Sequence, residues 1–386
     1  MFDKRYIKNF DYIILLLVLL IVCFGLIGIS IATRSPVEDP EADIANSIES
    51  FNLRQVKLQI VWLATGLILL LIVVSIDYHI IAELSPWLYW IVIGLLIAVK
   101  VAGTTGGGAQ RWLPIGSFRL QPSEFAKLAL ILMLARTLSK REEEGIHHIK
   151  DLIPLAIQMA IPFALIYIQP DLGTSLAFIA IVFGVVFTAG ISWKLLALGG
   201  AIGMAAVPLA WFFLLKDYQR TRIEVFLNPG LDPLGDGYNV LQSMMAIGSG
   251  QIFGQMGIEG GILRGNTLSQ LDFLPAKDTD FIFSVTAEAL GFIGGISIIA
   301  LFLLLVLRII RVASKARDKL GSFIAVGVAS MTLFHVFENI GMTMGLMPVT
   351  GLPLPFMSYG GSSMWTNMIA IGLVLNVGMR RHKLKF

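Results

Sequence analysis

Charge is scarce in this chain: 14% of its 386 residues are Asp, Glu, Lys or Arg, where a soluble domain carries roughly 25%. With 56% hydrophobic residues and a mean hydropathy of +0.79, that scarcity excludes an ordinary soluble protein. It identifies a polytopic membrane protein, with one membrane domain over 1–386. Cysteine is nearly absent. The single Cys23 lies inside the first apolar run, which excludes an intramolecular disulfide and a Cys-rich metal site. That first run is too long for a signal-peptide core and lacks a small-residue cleavage site, so it reads as a retained span. A net charge of +3 makes no case for a nucleic-acid partner. No internal repeat is visible, which weakens an inverted-repeat transporter reading.

What the chain does have is long, continuously apolar runs, at 11–33, 58–76, 87–102, 121–138, 152–168, 172–190, 195–215, 281–307, 321–345 and 362–379. Their length and lack of alternation predict ten transmembrane helices and not membrane strands. Lys4, Arg5 and Lys8 precede the first run; Arg136, Lys140, Arg141 and Lys150 follow the fourth; Arg308, Arg311, Lys315, Arg317 and Lys319 follow the eighth; Arg380, Arg381, Lys383 and Lys385 end the chain. With ten spans all four clusters share one side, which the positive-inside rule makes cytoplasmic. Both termini are then cytoplasmic, while an acidic 34–57 loop (Glu38, Asp39, Glu41, Asp43, Glu49) and the long 216–281 run face outward. The expected fold is all-α, with about ten transmembrane helices and one large extracytoplasmic loop. Gly199, Gly200, Gly203, Gly294 and Gly295 are expected to let helices pack closely.

The run from about Lys216 to Gly291 is the one long polar stretch, and Asp280 closes it immediately before an apolar span. A carboxylate where water meets a helix bundle is the first candidate for chemistry, although an Asp in a first helical turn also serves as a cap. At 100° per residue Ser284 and Ala287 share the face of Asp280, and Glu288 lies two turns deeper. Glu124 and Lys127 stand three apart at the start of the fourth span, either as a structural ion pair or at the edge of the cavity that holds Asp280. Arg220 and Arg222 suit a phosphate, or are solvated rim charges. His335 and Glu338 are one helical step apart, too few for a metal site, and are expected to pair in the core. The Gly-rich Thr104–Trp112 segment is no nucleotide loop, because it lacks a Gly-Lys-Ser/Thr ending. The Pro- and Gly-rich 348–363 turn reads either as a bland re-entrant turn or as a substrate-facing loop.

Several segments, in order, resemble the SEDS family of shape, elongation, division and sporulation proteins, and its RodA branch in particular. They include Gly108-Ala-Gln-Arg-Trp-Leu113, Leu120-Gln-Pro-Ser-Glu-Phe-Ala-Lys127, Gln169-Pro-Asp-Leu-Gly-Thr174, Tyr218-Gln-Arg220, Thr279-Asp-Phe-Ile-Phe283, Asn339-Ile-Gly-Met342 and Pro348 through Ser363. The resemblance implies a peptidoglycan glycosyltransferase that joins lipid II units into a growing glycan chain at the outer face of the bacterial cytoplasmic membrane. It also implies a class B penicillin-binding transpeptidase as partner and a role in cell elongation and shape. The family's catalytic Asp falls on Asp280 and its outer-cavity Glu and Lys on Glu124 and Lys127. Arg111, Arg220, Arg222, Ser358 and Tyr359 are the further expected substrate-binding residues. Where family members commonly read Leu-Pro-Glu-x-His, this chain has Ala276 and Asp278. A leaving diphosphate needs no general acid, so one base suffices. Arg or Lys at the rim, or a divalent cation such as Mg²⁺ carried by the diphosphate, would balance the departing charge. The rival readings are a lipid-linked sugar flippase or transporter, and a non-catalytic scaffold of the cell-wall synthase.

Overall fold

The computed structural model describes residues 9–34, 53–106, 109–116, 118–141, 145–232, 235–255, 267–271 and 273–381. Thirteen α-helices run through them: α1 (Tyr12–Ala32), α2 (Leu53–Ser75), α3 (Tyr78–Glu83), α4 (Ser85–Ala102), α5 (Pro122–Ser139), α6 (Ile149–Ile168), α7 (Leu172–Thr188), α8 (Trp193–Leu209), α9 (Asp217–Leu227), α10 (Asp236–Ser249), α11 (Ile282–Ser314), α12 (Lys319–Thr343) and α13 (Gly361–Met379). Each of the ten apolar runs is a helix. Seven of the helices are long and apolar enough to cross a membrane on length and composition alone. The acidic residues of the predicted 34–57 loop, the basic residues Lys4, Arg5 and Lys8, and Lys383 and Lys385 lie outside the described residues.

α11 and α12 sit centrally: α1 packs on α11, α5 and α7 pack on α12, and α13 packs on α2. Close approach comes from glycines other than the expected ones. A β-carbon on Gly25 would lie 2.6 Å from the Met357 Cα, and one on Gly28 would lie 2.6 Å from Thr286 Oγ1. Gly199, Gly200 and Gly203 instead face open space, because α8 buries none of its residues and lies at the rim of the bundle. Gly294 meets only Leu290 of its own helix, so the packing role read from the sequence does not hold at these sites.

Two further expectations need correction. The eighth span is not one continuous helix. Gly291 adopts φ 68° and ψ −165° and splits α11, and the 250–254 segment fills the break. Phe292 N–H donates to the Gln251 carbonyl at 2.8 Å and Ile293 N–H to that of Ile252 at 3.2 Å, which satisfies amides that the break frees. A β-carbon at Gly291 would stand 2.3 Å from the Gly254 nitrogen, so no other residue fits there. The 216–281 run, in turn, is not loop throughout: among its described residues α9 and α10 form two helices, and Ser243 of α10 anchors the second of them by bonding Ser284 Oγ at 2.6 Å and the Thr343 carbonyl at 2.7 Å.

The segment before α5 forms a small antiparallel sheet, β1 (Thr104–Gly106), β2 (Ala109–Ile115) and β3 (Phe118–Leu120), in that order. Phe118 packs between Trp62 and Trp365, with ring centroids 5.0 and 4.9 Å away. The sheet is thereby held over α2 and α13.

At the opposite end of the bundle the described basic clusters meet. One cavity joins Arg136 and Lys140 to Lys319, and another joins Arg308, Arg311 and Lys315 to Arg381. Asp280 lies just ahead of α11, and this basic group lies at the far end of the same helix.

Candidate active site

Asp280 sits on a turn held by three main-chain clamps. Asn339 Nδ2, on α12, donates to the Asp280 carbonyl at 2.8 Å and to the Leu352 carbonyl at 2.7 Å. Ser358 Oγ donates to the Thr279 carbonyl at 2.7 Å and accepts from Leu354 N–H at 2.8 Å. Tyr359 N–H donates to the Asp278 carbonyl at 2.9 Å. Gln59 of α2 grips the far side of the same loop, donating to the Ser358 carbonyl at 3.1 Å and accepting from Gly360 N–H at 3.2 Å. Two irregular segments, 276–281 and 348–360, thus become one unit whose polar backbone is satisfied internally. Ser358 and Tyr359 were expected to bind substrate. Here the Ser358 hydroxyl and the Tyr359 amide are spent on positioning the Asp280 turn. Asn339 and Gln59 act as positioning residues; Asn339 stood in the sequence reading only as part of the Asn339–Met342 motif, and Gln59 was not singled out, its one signal being a polar amide in an apolar helix.

The Asp280 carboxylate lies against Gly351, where an added β-carbon would be 3.3 Å from Oδ2 on a backbone with φ +74°. Gly351→Ala combines left-handed strain of about 1–2 kcal/mol with crowding of this oxygen. It is expected to cut any activity that depends on this carboxylate at least about tenfold, since small misplacements near the reacting atoms are costly. The melting temperature should move only modestly. An unchanged rate would show that the close approach of Gly351 has no bearing on the carboxylate.

Burial is the largest influence on Asp280 and pushes its pKa up to about 6; Arg111 and Arg222 pull it down, and Asp278 and Asp171 push it up. Charges from β2 (Arg111), the turn before α7 (Asp171), α9 (Arg222) and the adjacent Asp278 thus act on this one carboxylate, which in turn acts on Glu338 of α12. Arg111 Nη2 donates to the Pro170 carbonyl and its Nε stands 3.7 Å from Asp171 Oδ2, so the guanidinium is oriented from both sides. Asp171 itself caps α7 by accepting from Thr174 N–H at 3.2 Å. Arg220 is not brought to this point: it donates to the Phe212 carbonyl at 3.2 Å, with Asp217 4.0 Å away.

Glu124 and Lys127 do pair, at 2.8 Å, and both are buried. Lys127 Nζ also meets His335 Nε2 at 2.9 Å. An ammonium only donates, so this nitrogen of His335 accepts and its proton sits on Nδ1, facing the Pro353 carbonyl at 3.4 Å. The expected His335–Glu338 pair is not formed. Glu338 instead accepts from Thr350 Oγ1, because successive turns of α12 address different neighbours. Glu288 accepts from Leu268 N–H at 2.7 Å, Ser269 N–H at 3.1 Å and Ser249 Oγ at 3.3 Å, and so ties the 267–271 segment to the first half of α11. Among the described residues no three His, Cys, Asp or Glu side chains form a metal-holding group.

Comparison with known proteins bears on this geometry. Residues 11–383 match a family model described as cell cycle protein, FtsW/RodA/SpoVE. The chain is 40% identical over 322 residues to the peptidoglycan glycosyltransferase MrdB of Escherichia coli strain K12, covering 83% of this chain and 85% of that one. A chain in a solved structure concerning polymerization and crosslinking by a peptidoglycan synthase complex aligns with a TM-score of 0.78 and 31% identity, over 97% of this chain and 99% of that one. The crystal structure of the rod shape determining protein RodA of Thermus thermophilus aligns with a TM-score of 0.69 and 28% identity, over 97% and 98% of the two chains.

Proposed function

This chain belongs to the FtsW/RodA/SpoVE family, and from that premise we propose how its site works as a peptidoglycan glycosyltransferase. The enzyme joins lipid II units into β-1,4-linked glycan at the outer face of the cytoplasmic membrane. The observation that carries the mechanism is a half-buried carboxylate on a triply clamped turn, its pKa pushed up by burial and drawn back by the charges of Arg111 and Arg222.

Asp280 takes the proton from the acceptor sugar hydroxyl as that oxygen attacks the anomeric carbon of the donor. The bond to the polyprenyl diphosphate breaks on the opposite face, with inversion. The electron pair leaves with the diphosphate, which is already an anion and needs no proton. Arg111 and Arg222, whose charges reach Asp280, supply positive charge to the cavity in which the diphosphate departs. Any Mg²⁺ would arrive with the diphosphate, since the chain offers it no three-ligand cluster among the described residues.

The flippase reading asks for ionisable groups along the whole bundle. The buried ones among the described residues, Arg34, Glu124, Lys127, Asp171, Glu288, His335 and Glu338, all lie toward the Asp280 end of their helices, and each has a local partner. That distribution supports a reaction site over a conduit. Purified protein supplied with labelled lipid II is expected to make glycan polymer in the presence of a class B penicillin-binding transpeptidase. Flux of lipid II across vesicles without any polymer would reverse the reading.

The gathering of the described basic clusters at one end supports cytoplasmic termini and an outward Asp280 end. In a protein whose Cys23 is replaced by Ser, a cysteine at position 235 is expected to react with an impermeant reagent added outside intact cells. Reaction only after the cells are opened would invert the topology.

A further inference from the structure

The basic end of the bundle contains a cavity of about 250 Å³ between the start of α1, the last turns of α11 and the end of α13. Its polar lining is Asn9, Asp11, Arg308, Arg311, Lys315 and Arg381. Arg308, Arg311 and Lys315 stand at i, i+3 and i+7, so one face of α11 presents all three to the same space. Among the described residues Asp11 is the only acid lining the cavity, and it is already engaged. It accepts from Arg308 Nε at 2.8 Å and caps α1 by accepting from Ile14 N–H at 3.4 Å. One spent carboxylate facing four cations leaves an excess of positive charge in a partly enclosed site. Cations at a helix C-terminus are favoured by the helix dipole. That accounts for the charges on α11, and it does not account for Arg381 arriving from another helix to share the space.

A second cavity, of about 230 Å³, shares Asn9, Asp11, Arg308 and Arg381 and continues onto Phe10, Tyr12 and Ile13. Tyr12 and Ile13 are 59% and 48% exposed, and Leu16, on the same face of α1, is 56% exposed. The cation site therefore opens onto surface that faces lipid, with an aromatic pair, Phe10 and Tyr12, at its edge, ring centroids 4.9 Å apart. A free anion has no use for that continuity.

We propose that this cavity binds the phosphate headgroup of an anionic phospholipid, with the acyl chains lying along the exposed face of α1. The site is separate from the Asp280 chemistry and stands whether or not that mechanism does. Arg311 and Lys315 supply the unpaired charge, and Arg381 closes the site from α13.

The test uses the full-length chain in detergent, titrated with cardiolipin, phosphatidylglycerol, phosphatidylethanolamine or inorganic pyrophosphate and read by native mass spectrometry. Cardiolipin and phosphatidylglycerol are expected to remain bound where phosphatidylethanolamine does not. Arg311→Gln with Lys315→Gln should weaken that binding by about tenfold or more, given roughly 1 kcal/mol per basic side chain near an anionic surface. Both positions are exposed and outside the Arg308–Asp11 pair, so the lipid-free melting temperature should hold. Arg381→Gln, just beyond the end of α13, gives an independent second arm. Equal retention of anionic and zwitterionic lipid, or undiminished anionic lipid binding in both variants, would overturn the proposal. Displacement of the lipid by stoichiometric pyrophosphate would assign the cavity to a free anion instead.

Discussion

Asp280→Asn is expected to lower lipid II polymerisation by about 10²–10⁴-fold, the usual cost of losing a general base. The amide keeps the shape and leaves the Asn339 clamp intact, because that clamp holds the Asp280 main-chain carbonyl and not its side chain. Expression, melting temperature and lipid II binding should therefore survive. The pH profile carries a second signature. A base works only when deprotonated, so with a pKa of about 6 the wild-type rate should be full well above pH 6. It should fall about tenfold for each unit below that, the sign expected of a carboxylate raised by burial. The residual rate of the Asn variant should lack this acid limb. A variant that polymerised at near wild-type rate would remove Asp280 from the role.

Lys127→Met is expected to be the most damaging change to stability in the bundle. Removing the ammonium leaves the Glu124 carboxylate buried without its cation and deprives His335 Nε2 of its donor. Breaking a buried pair from one side typically costs about 3–5 kcal/mol. Glu124→Gln with Lys127→Met should recover much of this, since a neutral replacement of both partners is often close to harmless. Melting temperatures of the single and double variants in detergent decide the matter. A double variant no better than Lys127→Met alone would mean that the pair does not act as a unit.

How much of this was legible in the sequence depends on the range of the contact involved. Spans were readable because lipid demands long unbroken apolar runs, and α1 and α13 begin and end within two residues of where composition put them. α2 starts five residues earlier than read, because Arg54 and Lys57 belong to the helix but not to its apolar run. α9 and α10 were missed because their amphipathic turns lie inside a stretch read for its charge. The break in α11 had a local signal in Gly291, which was read only as the end of the polar run, while its neighbours Gly294 and Gly295 were read for packing. Contacts such as Lys127 with His335, or Ser358 with Thr279, join residues far apart in the chain, and no spacing rule reaches them. Asp280 was found by its position at the end of the polar run together with the family resemblance. The clamps that fix it belong to tertiary structure.

The Gly291 break also sets a height. From Arg308 at the basic end, the roughly 30 Å of hydrocarbon in a bilayer takes up about twenty helical residues. That places the outer hydrocarbon edge near Glu288, beside the break. The nine residues of α11 before Gly291 therefore rise through the headgroup layer, and Asp280 stands at most about 12 Å above the hydrocarbon. A sugar hung from a membrane-anchored diphosphate occupies that level. On the proposed mechanism the base is then held at the level of the sugar, so the substrate can keep its tail in the bilayer while its anomeric carbon reaches the carboxylate.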